Sequence, residues 1–176
     1  MTKRKSLICK KVAGALLIMG IVMNYPALAQ LPEKPNNPTD TEAWQNINAD
    51  GYFTFKIPPD MKEIPVQGID SYVGEYQGPT TQLQFDYGLY SGFLKEYSRK
   101  PDYKKTSLNV HGRKAKLITF YNEETTLEFP YVIAIHFPDL GIQSEEGKTT
   151  LVVWVNCKTP EDYSVAERIL KSIQFP

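Results

Sequence analysis

The sequence predicts an α+β fold: an antiparallel sheet of about six or seven strands with a C-terminal helix packed on one face. Three observations point to it. Residues 52–57 and 81–87 alternate apolar and polar side chains, the period of a half-buried strand. Residues 131–137 and 150–157 are apolar on both faces, as strands covered on both sides are. Near the end, Thr159-Pro160 opens a segment whose apolar residues recur at helical spacing.

The chain opens with a basic stretch (Lys3, Arg4, Lys5, Lys10, Lys11), an apolar run over residues 12–22, and Ala27-Leu28-Ala29, a small-x-small site. That order is the pattern of a secretory leader cut between Ala29 and Gln30. The competing reading is an uncleaved anchor, but Lys10-Lys11 and Asn24-Tyr25-Pro26 interrupt the apolar run, and about 11 clean apolar residues fall short of the roughly 20 that a span needs. The expected destination is periplasmic or extracellular. Residues 30–43 carry Pro32, Pro35 and Pro38 and read as an extended tether. Residues 44–176 form the expected single domain.

Within that domain, residues 44–47 read as a strand, Asn48-Ala49-Asp50-Gly51 as a turn, and 52–57 as a strand with Phe53, Phe55 and Ile57 inward. Residues 61–79, rich in Gly, Pro and polar side chains, read as a long loop with a possible short strand at 72–76. In the strand at 81–87, Leu83, Phe85 and Tyr87 oppose Gln82, Gln84 and Asp86. Residues 88–103 offer Leu89, Phe93, Leu94 and Tyr97 for one or two helical turns, weakened by Gly88 and Gly92. Residues 104–110 and 113–122 make the clearest hairpin, turning at His111-Gly112. The doubly apolar strands follow, as antiparallel neighbours joined by the loop 139–148. The last helix is capped by Thr159 with Asp162 in its first turn, carries the stripe Tyr163, Ala166, Ile169, Leu170 and Ile173, and has Lys171 at its negative end.

Charge is unevenly spread. Full-length neutrality comes from the leader: residues 30–176 hold 15 Lys+Arg against 20 Asp+Glu, net −5. Residues 30–94 carry net −6, residues 95–116 net +6 and residues 117–176 net −5. The basic island includes Arg99, Lys100, Lys104 and Lys105 and suits an anionic surface of a protein or membrane-associated complex. Its bland reading is a solvated loop and hairpin. No track of interleaved basic and aromatic residues points to nucleic acid.

Chemistry-bearing motifs are scarce. Ser91 is out of place for a nucleophile elbow, and there is no phosphate loop and no Cys-x-x-Cys. Cys157 ends an apolar strand, where a small buried hydrophobe is expected. His136 and Asp139 are the seed of the rival enzyme reading, a small exported hydrolase or metal-dependent enzyme using loop carboxylates. The best functional surface is aromatic and acidic: Asp70, Tyr72 and Tyr76, followed by Asp86, Tyr87 and Tyr90. Tyrosines suit recognition through a broad face and a hydroxyl, and two converging carboxylates would suit calcium. The bland alternative places Tyr87 in the core and bonds both carboxylates to nearby amides. No resident cofactor is expected.

Trp44 with Gly51-Tyr52-Phe53-Thr54-Phe55-Lys56-Ile57-Pro58, the hairpin residues His111-Gly112-Arg113-Lys114-Ala115, and the ending Ile169-Leu170-Lys171-Ser172-Ile173-Gln174-Phe175 together resemble the PsbP/Mog1-like group. The resemblance covers roughly residues 44–175. It implies an antiparallel sheet sandwiched between helices and a mainly non-enzymatic role, in some members the assembly or stability of larger complexes, including the oxygen-evolving photosystem. No binding residue carries over, because the metal-linked histidine pattern of that subfamily is not matched. The poor helix signal of residues 61–79 departs from a two-sided helical cover.

Overall fold

Antiparallel strands build most of this structure. The computed structural model describes residues 43–89, 91, 94–124, 128–141, 143–144 and 147–176, all within the unit Asn37–Pro176. The leader, the Ala29–Gln30 junction, the tether up to residue 42 and Tyr90 lie outside the described residues.

Strands β1 (Gln45–Ala49) and β2 (Phe53–Ile57) form an antiparallel hairpin across Asp50-Gly51. Then come β3 (Lys62–Ile64), β4 (Tyr72–Gln77) and β5 (Thr81–Gly88). A 3-10 helix spans Leu94–Arg99. Strands β6 (Lys104–Val110), β7 (Arg113–Tyr121) and β8 (Tyr131–Phe137) follow. Two short strands, β9 (Gln143–Ser144) and β10 (Gly147–Lys148), precede β11 (Thr150–Cys157) and helix α1 (Tyr163–Lys171). Among the described residues, seven strands form one antiparallel sheet in the order β3-β4-β5-β11-β8-β7-β6. The doubly apolar strands β8 and β11 are neighbours near its middle, as their composition requires.

Face one of the sheet carries Leu83, Phe85, Ile133, Ile135, Phe137, Leu151, Val153, Val155 and Cys157, all in one buried cluster. The β1–β2 hairpin covers it with Phe53, Phe55 and Ile57, and α1 with Ala166, Ile169 and Leu170. Each such side chain taken from water contributes on the order of 1.5–3 kcal/mol. The chain beyond α1 zips onto β2: Thr54 and Gln174 exchange backbone hydrogen bonds of 2.8 Å, and Ser172 Oγ accepts from Lys56 N at 2.8 Å. Face two has thinner cover. Ile118, Phe120, Val132, Ala134 and Val152 pack with Trp154 of β11 and are met by Leu94, Tyr97 and Tyr103, with Tyr97 stacked on Phe120 at 4.7 Å.

Local chemistry accounts for the joints. His111 and Gly112, at φ 47° and 82°, turn β6 into β7 with positive φ at both central positions. Asp162 accepts hydrogen bonds from Thr159 N and Oγ1 at 3.0 and 2.9 Å, closing the entry to the helix. Gly74 lets the Phe85 ring lie on β4; a Cβ there would sit 2.3 Å from that ring.

The structure revises three sequence expectations. The first strand spans Gln45–Ala49, not residues 44–47, because Ala49 is buried and extends the ladder to Phe53. Within the expected loop 61–79 the short strand read at 72–76 is present as β4, and β3 is added at its start, where pairing with β4 overrides the Gly- and Pro-rich composition. The helical hint within 88–103 resolves as the 3-10 helix, whose Leu94 and Tyr97 cap face two.

Candidate functional site

Antiparallel register sets Tyr72 directly opposite Tyr87, and both project on face one. Tyr52, the residue after the Asp50-Gly51 turn, reaches over from the β1–β2 hairpin. Its ring stacks on Tyr87 at 4.5 Å and 22°, and tilts against Tyr72 at 5.6 Å. Phe53 and Phe85 continue the aromatic layer inward, at 6.2 Å from Tyr87 and 5.4 Å from Tyr72 respectively. The outer rim is an open groove of about 450 Å³ lined by Tyr52, Ile69, Asp70, Tyr72, Tyr87 and Thr149, among others. Ile69 is fully exposed, Tyr52 is 42 % exposed and Tyr72 37 %. A cluster of large apolar side chains left open to water is the usual mark of a contact surface.

The groove sits in a negative field. Burial raises the Tyr72 hydroxyl pKa, and the carboxylates of Asp50 and Glu63 raise it further. Burial also raises Tyr87, with Tyr52 adding to the effect and Arg113 opposing it. That guanidinium is committed elsewhere: Nη1 donates to the Leu140 carbonyl at 2.7 Å, and the group lies 4.9 Å from the Phe175 ring centroid.

The six aromatic and acidic candidates separate. Asp70, Tyr72 and Tyr87 meet in the groove. Tyr76 does not join them: it lies four residues further along β4, beneath Phe55 at 5.7 Å, and is 9 % exposed. Burial, then Glu63, pushes its hydroxyl up to about 12. Asp86 leaves β5 on the face opposite Tyr87, between Val73 and Val152. Its Oδ1 is buried and takes no hydrogen bond among the described residues, so neither the amide partner nor the convergence with Asp70 is formed there. On that same face Glu75 accepts hydrogen bonds from Gln82 and Gln84 at 2.8 and 3.1 Å. Tyr90 lies outside the described residues.

The basic island also divides. Arg99 is exposed at the end of the 3-10 helix. Lys100 Nζ donates to Asn122 Oδ1 at 2.9 Å and lies 3.5 Å from Glu124. Lys104 and Lys105 pair with Thr119 and Ile118, so their side chains leave opposite faces of the edge strand β6. Lysines at the start of an exposed edge strand are a common guard against strand-to-strand association.

His136 is 5 % exposed on face two, between Val152 and Lys116. Burial, then the Lys116 charge, lowers its pKa from 6.5. Asp139 instead accepts from Lys148 Nζ at 2.5 Å and from Gly141 N at 2.8 Å, which holds its carboxyl below the usual range. Among the described residues no three His, Cys, Asp or Glu side chains stand together in a way that could hold a metal ion. Cys157 is buried and its thiol is pushed up to about 12, chiefly by burial.

Sequence reasoning missed Tyr52, Ile69 and Thr149. The available signal was a bulky aliphatic residue, Ile69, in an otherwise polar Gly-containing segment, and an aromatic residue directly after a turn. No family model matches the chain, and no curated protein matches it.

Proposed function

We propose that this chain is an exported, non-catalytic binding or accessory domain of the bacterial envelope that engages a larger protein complex through the tyrosine groove. The observation that carries this reading is the groove itself: Tyr52 and Tyr72 are exposed while packed on the aromatic layer of Tyr87 and Phe85, with the fully exposed Ile69 beside them. Rigid aromatic anchors with few rotatable bonds make efficient contact residues, since little conformational entropy is lost on docking. The basic leader ending in Ala27-Leu28-Ala29 supports export, and the PsbP/Mog1-like resemblance supports an assembly or stabilising role.

The test is affinity capture from the envelope fraction of the source organism, comparing the full chain with a Tyr52→Ala, Tyr72→Ala variant. The wild type should retain a protein that the variant loses, with the variant's near-ultraviolet circular dichroism unchanged outside the tyrosine contribution. A folded variant that retains the same protein equally well would remove the groove from the reading.

A further inference from the structure

Resting on the reading just given, we propose that the tyrosine groove receives an arginine or lysine side chain of the partner protein. The groove is complementary to a cation. Tyr52 and Tyr72 are 42 % and 37 % exposed at the groove, and an aromatic ring attracts a cation within about 6 Å of its centroid. Asp70 lines the groove, and Asp50 and Glu63 act electrostatically on Tyr72. Within residues 43–89 six carboxylates stand against Lys56 and Lys62, net −4. The molecule already uses this chemistry internally, with Arg168 lying 4.2 Å from the Trp44 ring centroid and Arg113 against Phe175.

Apolar surface lies beside the charge. Ile69 lines the groove and is fully exposed, which gives the aliphatic stem of an arginine or lysine an apolar surface to lie on.

The experiment titrates the full chain with a short peptide alternating valine and arginine, and with the same peptide carrying citrulline, the neutral isostere. The readout is the aromatic ring resonances of Tyr52 and Tyr72, with affinity from the concentration dependence. The arginine peptide should bind about tenfold more tightly than the citrulline peptide, and added salt should narrow the gap. Asp70→Asn should narrow it too, without moving the melting temperature. Equal binding of both peptides would overturn the cation reading and leave the groove as a contact site. Absence of ring shifts with either peptide at millimolar concentration would also overturn it. The capture comparison judges the groove separately, because it does not depend on the partner's charge.

Discussion

The tyrosine groove and the basic edge sit toward opposite ends of the same sheet and respond differently to the same geometry. At the groove, residues from three separate segments (Tyr52, Tyr72 and Tyr87) converge on one face. At the basic edge, neighbours in sequence are driven apart, because Lys104 and Lys105 leave alternate faces of β6. Proximity along a strand therefore disperses side chains, whereas register across strands gathers them. A run of like charges in an edge strand says little about a patch; a pair of tyrosines facing each other across a ladder says a great deal.

The comparison can be broken most forcefully beneath the groove. Phe53 is 1 % exposed and packs against Phe55, Phe85, Tyr87 and Phe175. Phe53→Ala should cost about 3–5 kcal/mol in urea unfolding and weaken partner capture, since Tyr87 loses the ring below it. Loss of stability with capture intact would show that the groove does not depend on this layer.

A smaller effect is expected where the basic strand β7 meets His136. The folded pKa of His136 lies below its unfolded value of 6.5, so on acidification the unfolded chain takes up that proton first. Stability should be full above about pH 6.5 and fall as pH drops through the window below it. His136→Gln should flatten that part of a stability-against-pH profile, and Lys116→Met should narrow the window. An unchanged slope in both variants would assign the acid sensitivity to other groups. The smallest effect belongs to Lys104→Glu with Lys105→Glu. Both side chains are exposed and on opposite faces, so stability should shift by no more than about 0.5 kcal/mol and capture should be unaltered. Loss of the partner in this variant would move the contact surface from the groove to the basic edge.

Legibility from sequence followed the range of the interactions. Phe53, Phe55 and Ile57 were readable as one buried face because alternation is a property of adjacent residues. The β6–β7 hairpin was readable because His111-Gly112 states its own turn. β3 was not, since three residues of mixed polarity become a strand only when Gln77, Tyr76 and Glu75 lie alongside. Tyr72 and Tyr76 illustrate the same limit within one strand. They share a face by parity, yet Tyr76 lies against Phe55 and is buried, whereas Tyr72 reaches the rim and stays open.

By itself, then, the amino-acid sequence determined the strand-rich class, the paired central strands β8 and β11, the terminal helix and which side chains face the core, because hydrophobic periodicity and capping act over a few residues. Only the tertiary structure decided that Tyr52 joins Tyr72 and Tyr87, that Asp70 meets them at the rim, and that Tyr76 is buried against Phe55. Those outcomes depend on strand order and register, which are set by the summed burial of the whole sheet and its covering hairpin and helix.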